Sequence, residues 1–192
     1  MSAPPGPTLV SLVVVCHEMA RELPRTIRSL SPGYQCDAEP GRCEIVVVDN
    51  GSAEVPDAER LRAHGADVRV LSMPDACVSP VPAVNAGLAA ARGDLVGVWI
   101  DGARLASPGL LAACAAASRL HPRPVIAPLN YQLGPKLQYL SGDEGYDQAT
   151  EDALLASIDW PRDGYRLFDV SACEVRDPPR GQIGRASCRE RV

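Results

Sequence analysis

The chain has 192 residues, 46% of them hydrophobic and 22% charged, the balance of one globular domain with a sizeable apolar core. Only 4% are aromatic, with a single Phe168, so the core rests on Val, Leu, Ile and Ala; that suits a parallel sheet under helices and excludes a nucleic-acid binder that stacks bases on rings. A formal net charge of -5 without any basic run excludes holding nucleic acid by phosphate neutralisation.

Leu9 to Cys16 (LVSLVVVC) is a continuous, β-branched apolar run, the pattern of a central strand buried on both faces. It follows an uncharged, Pro-rich lead over residues 1–8, expected to be disordered, and falls short of the roughly 20 apolar residues of a membrane helix. It therefore reads as neither signal peptide nor anchor, and no later stretch spans a membrane. Met19 to Leu30 sets Leu23, Ile27 and Leu30 at helical spacing before Ser31-Pro32-Gly33 stops it.

Glu44 to Val48 (EIVVV) repeats the buried-strand pattern and ends in the turn residues Asp49-Asn50-Gly51-Ser52. Ala58 to His64 predicts a short helix, Asp67 to Leu71 an alternating strand, and Ala83 to Ala91 a helix closed by Arg92-Gly93. Leu95 to Ile100 is the fourth strand, ending on Asp101. Pro108 to Leu120 predicts a helix with Ser107 as N-cap, and Val125 to Ala127 a short strand. Beyond Asn130 come a Gly/Asp-rich loop from Ser141 to Gly145, a helix from Asp147 to Ser157 and a strand from Tyr165 to Ser171.

Seven cysteines is an odd number, and Cys16 and Cys114 lie in apolar segments, which favours reduced thiols and a cytoplasmic setting. The spacing of Cys36 and Cys43 is too wide for a zinc knuckle.

Strand alternating with helix implies right-handed crossovers and a mainly parallel α/β sheet, with any ligand at the carboxyl ends of the strands. Cys16-His17-Glu18, Asp49-Asn50-Gly51-Ser52 and Asp101-Gly102 are expected to gather on that edge. Asp49 and Asp101 at neighbouring strand ends suit a ligand with a base or hydroxyls at one end and a metal-bridged phosphate at the other. Asp-Asn-Gly taken alone reads first as a turn.

The series LVSLVVVCHE, EIVVVDNGS, VNAGLAAARGD and VWIDGARLASPGLL, over residues 8–130, resembles the nucleotide-binding half of a family 2 glycosyltransferase with the Rossmann-like GT-A fold. The resemblance implies sugar transfer from a nucleotide-sugar donor to an acceptor hydroxyl, with inversion. It sets Cys16, His17 and Glu18 beside the nucleotide, although the family often has a Pro-x-Tyr-Asn type turn there. It gives Asp49 the donor base, and Asn85, Gly87, Arg92 and Gly93 the diphosphate and sugar. Asp101 matches the first Asp of the D-x-D element that holds Mg²⁺ or Mn²⁺, while Ala103 stands where the second is expected. That loss predicts weaker metal binding, with Arg104 read equally as a phosphate partner and as a solvated loop charge.

Glu151-Asp152 resembles the family's acceptor-side base pair but comes soon after Asp101 in a capping-box-like run, so the base is expected beyond Gln182. His17, His64 and His121 fit no nucleophilic or metal arrangement. Residues 131–182 are expected to begin the acceptor-side region. The final IGRASCRERV has no hydrophobic period, and codons for it resemble a sequencing-library adapter read in frame. The natural sequence is thus expected to be cut near Gln182, leaving an inactive donor half. The alternatives are a nucleotide-binding remnant without catalysis, or a sugar-phosphate nucleotidyltransferase, which would need the Gly-rich phosphate loop that Cys16-His17-Glu18-Met19 lacks.

Overall fold

The two most apolar runs of the sequence become the two middle strands of the sheet. In the computed structural model, which describes residues 9–35, 42–73, 75, 78–136 and 145–173, β1 (Val10–Cys16) and β2 (Cys43–Asp49) are buried at every position. β3 (Asp67–Ser72) pairs with β2 and β4 (Leu95–Trp99) with β1, all parallel, in the order β3-β2-β1-β4. A strand covered on both faces has no polar side to write, which is why β1 and β2 carry almost no alternation.

Four helices connect and cover the strands: α1 (Leu23–Leu30), α2 (Ala58–Leu61), α3 (Val81–Ala90) and α4 (Leu110–Ser118). Leu12, Val14, Ile45 and Val47 point to one face, against Leu23, Ile27 and Leu30 of α1, Leu61 of α2 and Leu111 of α4. Val13, Val15, Val46 and Val48 point to the other, against Ala83 of α3. Crossover handedness accounts for the two sides. The chain steps outward from β1 to β2 to β3 under α1 and α2, then returns across the sheet to β4, and a right-handed crossover in the reversed direction carries α3 over the opposite face.

α4 begins two residues later than the sequence pattern suggests, because Gly109 takes φ 76° and breaks the helical run. Ser107 is not its side-chain cap; the Ser107 carbonyl accepts from Leu110 N–H, and the buried Gln35 Oε1 accepts from Leu111 N–H at 3.2 Å. The described Cys16, Cys43, Cys114 and Cys173 are all free thiols. Among the described residues no helix is long and apolar enough to cross a membrane. The expected lead at residues 1–8, the C-terminal string from Ile183, Cys36 and Cys77 lie outside the described residues.

The chain divides into two units, residues 1–122 and 123–192. In the second, β5 (Tyr131–Leu133) pairs antiparallel with β6 (Ser171–Cys173), and α5 (Gln148–Ser157) starts at an Asp147 cap that accepts from Thr150 N–H at 2.8 Å. Two expected strands are absent. Val125 to Ala127 is irregular, flanked by Pro124 and Pro128, with Val125 90% exposed; proline brings no N–H for a ladder. Residues 164–170 form a 3₁₀ helix, and only after it does the chain extend into β6.

Candidate functional site

Parallel pairing brings the carboxyl ends of β1, β2 and β4 to one edge. Cys16 stands opposite Asp49 and Val14 opposite Trp99, and the chain leaves β1 on one side and comes back to it at β4 on the other, the arrangement that opens a crevice in parallel sheets. The loops after β1 and β2 are laced together. Asn50 N–H donates to the Cys16 carbonyl at 2.8 Å, and His17 Nδ1–H to the Asn50 carbonyl at 3.1 Å. Glu18 N–H donates to Ser52 Oγ at 2.8 Å, and Ala53 N–H to Glu18 Oε1 at 2.6 Å. Glu18 holds φ 53°, a left-handed conformation that costs a non-glycine residue free energy. Its two bonds to the second loop offset that cost. His17 and Glu18 thus stand on the expected edge, with these polar atoms spent on loop-to-loop contacts.

Asp49 is completely buried, and its Oδ1 accepts from Ser52 N–H at 3.2 Å. Its Oδ2 is buried without a hydrogen-bond partner. Such an oxygen carries a desolvation cost until a donor meets it. Beneath it, burial first and the Asp49 charge second push the Cys16 thiol up to about 12. Cys16 is therefore a neutral packing group, not a nucleophile.

Asp101 lies just past β4. Its Oδ1 accepts from Ala103 N–H at 3.0 Å, while Oδ2 lies 4.0 Å from Arg104 Nε, with the carboxylate side chain 42% exposed. Among the described residues no three His, Cys, Asp or Glu side chains gather as a protein-built metal site requires. The donor set fits a hard cation only through one carboxylate oxygen, Oδ2 of Asp101, with the remaining oxygens drawn from ligand and water.

The other expected residues separate. Asn85 is exposed on α3. Gly87 is buried on the same helix, where a Cβ would strike the Val13 side chain. Arg92 and Gly93 stand at the opposite, amino-terminal edge of the sheet: both N–H groups donate to Ser11 Oγ, at 3.1 and 2.7 Å, and Arg92 N–H also to Glu44 Oε1 at 2.7 Å. A Cβ on Gly93 would stand 2.6 Å from Ser11 N and 2.7 Å from the Leu9 carbonyl. Since backbone yields less than a valine side chain, Gly93→Ala is expected to destabilise more than Gly87→Ala. For Gly87→Ala, overpacking of about 1–3 kcal/mol is offset in part by the better helix propensity of alanine, about 1 kcal/mol. Urea melts of both variants check the ranking; a larger loss at Gly87 reverses it.

Glu151 and Asp152 lie on α5 of the second unit. Sequence reading missed Thr26, Gln35 and the pair Ser11 and Glu44. A signal existed for some of them: a serine inside a run buried on both faces, or a threonine on the apolar side of a helix, needs a partner from elsewhere.

The family profile described as "Glycosyl transferase family 2" matches residues 11–136. Among solved structures, the chain is similar to S. aureus TarS 1-349, at 20% identity and a TM-score of 0.52, covering 59% of this chain and 33% of that one. The crystal structure of TarS 1-349 in complex with UDP-GlcNAc matches at 22% identity and a TM-score of 0.50, covering 59% and 32%. The complex with UDP matches at 20% identity and a TM-score of 0.51, again covering 59% and 32%. These likenesses establish the fold, and the chain spans about a third of the length of the structures it matches. No curated protein matches the chain.

Proposed function

The chain belongs to glycosyl transferase family 2, and from that premise we propose that its strand edge binds a nucleotide-sugar donor for an inverting transfer to an acceptor hydroxyl. The observation that carries this reading is the Asp49 carboxylate, fully buried at the end of β2 with Oδ2 unpartnered. A nucleobase imide N–H, as in uracil, supplies the missing donor. The TarS complex with UDP-GlcNAc supports a uridine diphosphate sugar as the first candidate.

In this reading Asp49 binds the base, and His17 and Glu18 hold the two loops around it. Asp101 Oδ2 would hold Mg²⁺ or Mn²⁺, which would supply charge neutralisation for the departing diphosphate. Arg104, beside Asp101, adds a fixed cation where the second carboxylate of the family motif is missing. Asn85 faces solvent on α3 and is assigned to the donor; Gly87, Arg92 and Gly93 are assigned to seating α3 and β4. The chain supplies the donor side of the reaction, acting with reduced thiols in a cytoplasmic setting, and by itself transfers no sugar, because none of the residues assigned to the site deprotonates an acceptor hydroxyl.

Calorimetry with UDP, GDP and dTDP, each with and without Mn²⁺, tests the reading. One nucleotide is expected to bind, and to bind more tightly with metal. Ala103→Asp adds a second hard oxygen beside Asp101 and is expected to lower the Mn²⁺ concentration needed, whereas Asp101→Asn raises it. Absence of binding by all three nucleotides overturns the donor site.

A further inference from the structure

Helix α1 carries three polar residues with no solvent exposure in or just after it, Thr26, Ser29 and Gln35. A buried hydroxyl or amide persists only where it is hydrogen-bonded. All three reach the segment that follows Asp101. Thr26 Oγ1 donates to the Gly102 carbonyl at 2.6 Å, Ser29 Oγ accepts from Ala106 N–H at 2.9 Å, and Gln35 Nε2 donates to the Ser107 carbonyl at 3.1 Å.

The first of these bonds differs from the others in what lies across the peptide. The Gly102 carbonyl and the Ala103 N–H belong to one planar unit, so fixing the oxygen fixes the direction of the N–H. That N–H donates to Asp101 Oδ1 at 3.0 Å. The Thr26 hydroxyl thus sets the peptide plane, the plane sets Oδ1, and Oδ2 is left on the Arg104 side, 4.0 Å from its Nε. We propose that Thr26 is a positioning residue for Asp101, aiming Oδ2, the carboxylate oxygen not bonded to the Ala103 N–H, at the cation through the Gly102–Ala103 peptide. The proposal rests on the donor-site reading above and adds a residue on the far side of the loop, without contact to ligand.

Removing an outer partner that orients a metal-binding carboxylate typically costs about 10- to 100-fold in metal affinity. Thr26→Val keeps the shape and deletes the hydroxyl. With UDP as probe, or GDP if the parent binds it more tightly, Thr26→Val is expected to raise the Mn²⁺ concentration for half-maximal enhancement of nucleotide affinity about tenfold. Affinity without Mn²⁺ should move less than twofold, a pattern that general loosening of the fold does not give. Thr26→Ser restores the hydroxyl and is expected to restore the metal dependence, and Thr26→Val in an Asp101→Asn background should add nothing. If the valine variant does not fold, Thr26→Ala carries the same comparison against serine. Unchanged Mn²⁺ dependence in a folded Thr26→Val, with Asp101→Asn strongly impaired, overturns the positioning role alone. Unchanged dependence in Asp101→Asn itself overturns both that role and the Asp101 assignment.

Discussion

Glu44→Ala is expected to destabilise the first unit by about 2–4 kcal/mol, the scale of leaving buried donors and a partnered cation without their acceptor. The Glu44 carboxylate is 5% exposed and serves three groups at the amino-terminal edge of the sheet. Ser11 Oγ donates to Oε1 at 2.6 Å, Arg92 N–H to Oε1 at 2.7 Å, and Arg69 Nη2 to Oε2 at 2.9 Å. Arg69 also donates to the Ala90 carbonyl, so this cluster ties β1, β2 and β3 to the end of α3 and the turn into β4. Glu44→Gln keeps shape and one acceptor and should lose less. Burial pushes the Glu44 carboxyl up, but the hydrogen bonds from Ser11, Arg92 and Arg69, with the Arg69 charge, outweigh it and hold the group below its ordinary 4.5. A lowered folded value means stabilisation that is present above the ordinary value and is lost as pH falls through the folded one. Urea midpoints of parent and Glu44→Gln should therefore converge on acidification below about pH 4.5. A gap that stays constant with pH assigns the loss to packing instead.

How much of the fold could be read from the chain depends on whether the deciding contact is local. The apolar runs of β1 and β2 are legible because burial on both faces leaves no other composition possible, and the observed strands, Val10–Cys16 and Cys43–Asp49, differ from the expected ones by one residue at the start of β1 and one at each end of β2. That Asp49 and Asp101 share one edge follows from strand polarity alone, but β1 lies between β2 and β4, so they do not stand at neighbouring strand ends as expected. The β5 and β6 pair was not legible, since three-residue strands separated by α5 acquire their structure from one another and carry little pattern of their own. Residues 164–170 mislead for a related reason: Tyr165, Leu167, Phe168 and Val170 bring the aromatic and branched content of a strand, yet only Leu167 is buried among them. At the site, Arg92 and Gly93 read as ligand-facing from motif order, whereas their backbone bonds to Ser11 hold them at the far edge.

Asp49→Ala is expected to weaken nucleotide binding by about 1–3 kcal/mol, roughly 5- to 150-fold, while changing the stability of the unliganded protein much less. The asymmetry follows from how the carboxylate is used. In the folded chain Oδ1 has a single bond, at 3.2 Å from Ser52 N–H, and Oδ2 has none. Deleting the group therefore removes one modest hydrogen bond together with a buried orphan whose desolvation is uncompensated. Binding is the other side of the same balance, because a base that offers an N–H to Oδ2 repays that desolvation only when the carboxylate is present. A residue kept only to make the Asp49–Ser52 turn predicts the reverse pattern, with stability lost and affinity retained. Thermal melts and calorimetry on the same preparation, run with UDP and with GDP, separate the two. If the variant melts several degrees lower and binds nucleotide as the parent does, Asp49 is a turn residue and the base lies elsewhere.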